Sequence, residues 1–362
     1  MNNIRKSLII IITALCIFAC SKSKDEPAVN PSVEPSAEPS ANPSEDPSAE
    51  PSADPYDFSG LTPNLSSDGK FITTIFEFRP APGQFANENY PKYEAGNTDA
   101  DMRQKVFDAI GGEKRGLVSL GSFGGYVTFG FGHSVINHDG KDFMVYGNAI
   151  YGNKKVTPYL GSCEPGVVYV SIDKNGNGLP DDEWFVLAGS QYDISTHNHT
   201  VTYYRTPADH VPTPGSPAFR TDTTLVKWVD GNGVTGYVEQ NSFHTANHYY
   251  PDWYADDQIT FTGELLPSNI YTNGSSVTLQ AVEWGYADVH PNDSVNRNAF
   301  DINWARNSEG KKIALPFIDF VRIATGVLQQ AGMMGDTSTE VAGARIIDAE
   351  EAKLLPLYPG QQ

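Results

Sequence analysis

Short β-type segments separated by turn residues, with almost no helices to serve as crossovers between them, restrict the body of this 362-residue chain to an all-β fold. Residues 71–78, 126–131, 142–146, 167–172, 200–204, 259–262, 277–282 and 317–323 are rich in β-branched and aromatic side chains and are bounded by Gly, Pro, Asn or Asp. One stretch has helical spacing. Met102, Val106 and Ile110 recur on one face of residues 99–110, and Gly111-Gly112 ends the run. This pattern predicts a β-sandwich or jelly-roll-like domain with a minor helix and excludes a doubly wound parallel sheet.

The first part of the chain cannot join that domain. Arg5 and Lys6 precede an apolar run from Leu8 to Ala19, broken only by Thr13, which has the layout of a secretory signal and is too short to span a bilayer comfortably. Its end, Ile17-Phe18-Ala19-Cys20, resembles a bacterial lipobox, with Phe18 bulkier than that motif usually has. Cys20 is therefore expected to be lipidated and to become the mature N-terminus, and cleavage of an ordinary secreted protein nearby is the alternative. The acidic pair Asp25-Glu26 just behind it resembles the signal that sends Bacteroidetes lipoproteins to the outer face of the outer membrane. From Pro31 to Pro55 a Pro recurs every fourth residue, usually followed by Ser and an acid. Proline at that spacing blocks both helix and sheet, so the expectation is a disordered, extended stalk reaching roughly 75 Å at about 3.1 Å per residue. The expected organisation is a signal peptide over 1–19, a lipidated N-terminus and linker over 20–56, and a β-rich ligand-binding domain over 57–362.

Charge and cysteine content narrow the options further. A formal net charge of -19 repels phosphate backbones, which argues against a nucleic-acid partner. Once Cys16 leaves with the signal and Cys20 is lipidated, Cys163 is the only thiol left in the body. No intrachain disulfide can form, and the domain must be held by packing or metal.

The most specific chemical signal is Asp173-Lys-Asn175-Gly-Asn177-Gly178-Leu179-Pro-Asp181-Asp182-Glu183. Oxygen-bearing side chains at positions one, three and five, followed by Gly, curl oxygens around a hard cation. The Leu179 carbonyl falls at position seven, and Asp181, Asp182 or Glu183 could close the shell of a structural Ca2+ site. Trp184 stands where a bidentate acid normally completes such a loop, and an acidic Asn-Gly hairpin is the competing reading. The Gly-rich run Gly121-Ser-Phe-Gly-Gly-Tyr126 precedes a strand and lacks a following Lys-Ser/Thr, so it predicts a tight turn or bulge and not a phosphate loop.

A second constellation is aromatic. His244, His248, Tyr249, Tyr250, Trp253 and Tyr254 crowd around Pro251, a composition that suits a sugar-binding or other ring-binding surface. The alternative is that these rings plug one end of the sandwich. His197-Asn-His199 reads as a polar turn. Enzymatic signals are thin: there is no Gly-x-Ser-x-Gly elbow and no His-Glu-x-x-His, and no residue stands out as catalytic.

Phe78-Arg-Pro-Ala-Pro-Gly-Gln-Phe85, Gly121 to Tyr126 with Gly132-His133, Asp142 to Asn148, Glu164-Pro-Gly-Val167, Asp173 to Trp184, Phe300-Asp-Ile302 and Asp319-Phe-Val321 form a series that resembles a family of Bacteroidetes cell-surface lipoproteins. Its members often carry PKD-like modules and resemble the accessory binding proteins of cobamide (vitamin B12) uptake loci. The resemblance spans roughly residues 71–345, and the proline stalk stands in the place of a PKD-like module. It implies an outer-membrane, surface-exposed protein attached to the membrane through its lipid alone, which hands a cobamide to a TonB-dependent transporter. A carbohydrate-binding lipoprotein and a secreted hydrolase of unrecognised type are the alternatives. Because lipidation requires the Cys20 thiol, Cys20→Ala is expected to release the protein from membranes on fractionation while the body unfolds at the parental temperature. Equal membrane retention of variant and parent would remove the anchor.

Overall fold

The apolar alternation in the segment Phe320–Thr325 builds the centre of the molecule. The computed structural model describes residues 55–357; the signal segment, Cys20 and all but the end of the stalk lie outside the described residues. Those described belong to one unit, Asp54–Gln362. As the sequence predicts, the fold is all-β: strands dominate, and the α-helices among the described residues are Asp99–Ile110 and the single turn Ala349–Ala352.

The main sheet runs in the order Ile72–Arg79, Tyr126–Phe131, Phe320–Thr325, Gly166–Ser171, Trp184–Leu187 and Ala305–Arg306, antiparallel throughout. Because side chains alternate across a strand, its register creates two unlike faces. Ile75, Phe129, Val321, Val170 and Phe185 stand opposite one another across five strands and are all buried. One residue along, the row on the other face reads Glu77, Thr128, Arg322, Tyr169 and Val186.

The apolar face is covered by the helix, whose Met102, Val106 and Ile110 are fully buried in the same cluster. A capping box starts that helix: the Asp101 N–H donates to the Thr98 hydroxyl, and the Thr98 N–H donates to the Asp101 carboxylate at 2.8 Å. The opposite face is partly covered by a four-stranded sheet in the order Thr235–Asn241, Arg220–Asp230, Thr196–Tyr204, Gln258–Leu265. Phe123, Tyr203 and Phe261 join the two layers, with Tyr126 packed against them.

Several expectations need refinement. Residues 220–230 and 235–241 form the longest hairpin of this second sheet, and their Thr, Asp, Lys and Glu content concealed them. His197-Asn198-His199 is not a turn: it lies in the strand Thr196–Tyr204, at a register shift where Asn198 takes φ 53°. The segment 317–323 is broken at Asp319, whose carboxylate accepts from the Ser134 hydroxyl at 2.5 Å and the Asp173 N–H at 2.8 Å. The Gly-rich run makes the tight bend entering Tyr126–Phe131. Gly121 adopts φ 70°, and a Cβ there would collide with the Ala81 carbonyl.

The aromatic segment is the clearest correction. Tyr249, Tyr250 and Tyr254 are buried, with hydroxyls donating to the carbonyls of His244, Asp256 and Pro80 respectively. Trp253 is half-buried and stacked between Phe78 and Tyr93, with ring centroids at 6.0 and 5.8 Å. The three tyrosines turn inward, each to a backbone acceptor, and Tyr250, Trp253 and Tyr254 also line a separate cavity of about 620 Å3 beside Arg79 and Asp99. Of the proposed ligand contacts, His244 is half-buried and His248 alone is fully at the surface. Trp253→Ala is expected to destabilise the protein by about 3 kcal/mol, the low end for losing a large packed ring. The indole N–H is buried without a partner, so Trp253→Phe should cost clearly less in the same denaturant titration.

Candidate functional site: an aromatic cleft over the central sheet

Where the second sheet stops short, the polar face of the central sheet is left as the floor of a cleft of about 480 Å3. Tyr126, Tyr169, Trp184, Arg322 and Ala324 come from that sheet; His197, Asn198 and residues 260–264 form one wall, and Tyr192 with residues 306–310 form another. The volume lies in the range of pockets that hold small organic ligands.

Arg322 organises the floor. Its guanidinium lies over the Tyr126 ring at 4.3 Å and the Trp184 ring at 4.1 Å. Its Nη2 donates to Glu77 Oε2 at 2.6 Å, and its Nε donates to the Thr128 hydroxyl at 2.9 Å. Thr128 in turn donates to the same carboxylate at 2.9 Å. A planar cation held by two directed hydrogen bonds and two ring faces cannot reorient, so both aromatic rings are fixed before any ligand arrives. Lysine would supply the charge without the fork.

The opposite wall contributes polar groups. The Glu264 N–H donates to the Tyr169 hydroxyl at 2.9 Å, tying the second sheet to the first. The Glu264 side chain pairs with His197 Nδ1. Burial raises the Glu264 pKa, and the His197 bond offsets that only in part. The Tyr126 pKa is also raised, chiefly by burial, and its hydroxyl donates to Glu77 Oε1 at 3.3 Å. The cleft thus offers half-buried ring faces beside a fixed cation, a carboxylate–imidazole pair and phenolic hydroxyls.

Trp184 arrives here from the acidic loop. Residues 173–183 are the connection between Gly166–Ser171 and Trp184–Leu187, so the hairpin geometry is present. Gly176 and Gly178 both have positive φ, at 72° and 75°. Asp173 accepts from the N–H groups of Asn177 at 3.0 Å and Gly178 at 2.8 Å, and Asp182 accepts from that of Lys174 at 2.9 Å. The side-chain amides of Asn175 and Asn177 donate to the two oxygens of Asp181. Asp173, Asp181 and Asp182 are therefore drawn into one turn, whereas Glu183 faces away to accept from the Tyr56 hydroxyl at 3.2 Å, and Leu179 is exposed.

The cleft gathers none of His244, His248, Tyr249, Tyr250, Trp253 or Tyr254. Tyr126, Tyr169, Trp184 and Arg322 sit in segments legible as strands, but which face each side chain takes depends on register, which the sequence does not show. Cys163 is buried, and its thiol pKa is pushed up to about 12 by burial, a setting that suppresses thiolate chemistry. No protein-family model matches the chain, and no curated protein does either.

Proposed function

We propose that this chain is a lipid-anchored surface protein that captures a ring-bearing, polar small molecule in the aromatic cleft and passes it to an outer-membrane transporter. The observation that carries the reading is the pair of aromatic rings fixed by one guanidinium: Tyr126 and Trp184 flank Arg322 inside a cleft rimmed by His197, Glu264 and Tyr169. Flat faces with polar rims bind rings at little desolvation cost. A cobamide is the ligand implied by the family resemblance, and such a molecule would insert an edge or substituent, because the cleft is smaller than a whole corrinoid. A glycan is the second candidate, favoured by the aromatic floor and the flanking hydrogen-bonding groups.

The decisive measurement is titration of the purified protein with cobamides and with a glycan panel, repeated with Trp184→Ala. The variant is expected to lose about 2 kcal/mol of affinity, the scale of an aromatic hot spot. Parental affinity in the variant would move the site elsewhere, and no binding of either class would end the proposal.

The acidic loop belongs to the same proposal. Asp173, Asn175, Asn177, the Leu179 carbonyl, Asp181 and Asp182 supply an all-oxygen set suited to Ca2+, and an ion held there would stiffen the hairpin that delivers Trp184. A cation bound only by the folded state stabilises it by mass action, so saturating Ca2+ is expected to raise the melting temperature of metal-free protein and to raise that of Asp173→Ala less. An identical melting temperature with and without Ca2+ would leave the loop a plain hairpin.

A further inference from the structure

Deep in the body, three chain segments meet through carboxylates. Glu164 precedes the strand Gly166–Ser171, Asp288 follows Ala287, which exchanges both backbone hydrogen bonds with Gly166, and Glu340 opens the short strand Glu340–Val341. Single ligand oxygens from the three lie within 4.8 Å of one another. Asp288 and Glu340 are buried, and Glu164 is half-buried.

The surroundings are unusual for carboxylates that far inside. Asp336, Thr337, Ser338, Thr339 and Glu340 are five consecutive buried polar residues. Asp288 is held with φ 56° so that Oδ1 accepts from the N–H groups of Asn148 at 2.7 Å and Ala149 at 2.9 Å, while Oδ2 accepts from that of Glu340 at 2.9 Å. Burial and the neighbouring Glu340 carboxylate push the Asp288 pKa up, and these three N–H donors oppose that rise. Glu164 Oε1 accepts from the Ser338 N–H at 3.2 Å. Glu340 Oε1 is buried without a hydrogen-bond partner, while the Ser119 and Ser338 hydroxyls and the Glu164 carboxyl lie close to the Glu340 side chain.

Three carboxylates whose oxygens converge inside the body, one with an orphaned oxygen, are costly to keep charged together unless protons or a cation are shared among them. We propose that Glu164, Asp288 and Glu340 form a buried binding site for one hard divalent cation. The donors are all oxygen, which selects Ca2+, Mg2+ or Mn2+ over softer metals. Ligands of one ion at about 2.4 Å can stand no more than about 4.8 Å apart, and the three oxygens lie within that limit. The hydroxyls of Ser119 and Ser338, 2.7 Å apart, lie beside Glu340 and extend the oxygen set. Glu164 is the only one of the three whose residue retains some exposure. Such an ion would pin together the chain at 148–149, 164, 288 and 336–340, a role that a disulfide-free body leaves open. The site shares no residue with the cleft or with the loop at 173–183.

The test is metal analysis of the full chain as purified, and again after chelation and equilibrium dialysis against Ca2+, Mg2+ or Mn2+. Asp173→Ala, at an exposed loop, separates this site from the loop. One metal equivalent is expected to remain in Asp173→Ala and to be lost when Glu340→Gln is added, with affinity falling at least about tenfold. Should the Glu340 variant fail to fold, Glu164→Gln at the half-buried position replaces it, and the same loss is expected. Absence of metal from Asp173→Ala under all three cations overturns the proposal, as does full retention after either glutamate is changed. A metal-free parent that Glu340→Gln stabilises would show that the carboxylates share protons instead, and overturns it equally.

Discussion

The pleat of Phe320–Thr325, in which Arg322 alone is not fully buried, is the constraint on which the other features rest. It puts Val321 and Ile323 into a continuous apolar layer and Arg322 and Ala324 on the reverse side of the same sheet. A shift of one residue in register would bury the guanidinium among Phe129, Val170 and Phe185 and expose the valine in its place. The sheet is fixed because only one register satisfies both faces. The helix Asp99–Ile110 then covers the apolar side, and the second sheet covers part of the polar side.

The incomplete cover creates the cleft. A cationic strand residue would ordinarily be solvated, but here Glu77 and Thr128 from neighbouring strands hold it, and Tyr126 and Trp184 sandwich it. Charge, hydrogen bonds and ring faces constrain the same few atoms, so the geometry of this surface is set by the fold itself. The acidic hairpin matters to this surface through Trp184, the first residue of the strand after it. Placement of the ring is therefore tied to the loop by direct chain continuity.

The interior solves a second problem with polar chemistry. A body without disulfides has to hold long connections between strands by packing, hydrogen bonding or ions. Asp288 accepts from three backbone N–H groups drawn from two separate segments, and Asn87 donates to the carbonyls of both His248 and Tyr250. Each of these side chains replaces ladder pairing where loops cross, and each leaves little room for substitution because its partners are backbone atoms.

The sequence by itself determined the all-β class, the helix from Asp99 to Ile110 with its Gly-Gly stop, the bend at Gly121 and the placement of the acidic loop between two strands. These follow from local causes: residue propensity, side-chain period and the special backbone freedom of glycine. It missed the hairpin at 220–241, whose Thr, Asp and Lys obscure the strand pattern and whose apolar positions are clear only once the partner sheet covers them. It also left the aromatic segment at 244–254 undecided, since a cluster of rings has the same composition whether it faces ligand or core. Only the tertiary structure decided that Tyr249, Tyr250 and Tyr254 point inward, that Tyr126, Tyr169 and Trp184 converge around Arg322, and that Glu164, Asp288 and Glu340 meet. Those groupings join residues up to 196 positions apart in the chain, and they arise from strand register and sheet packing, which no local pattern encodes.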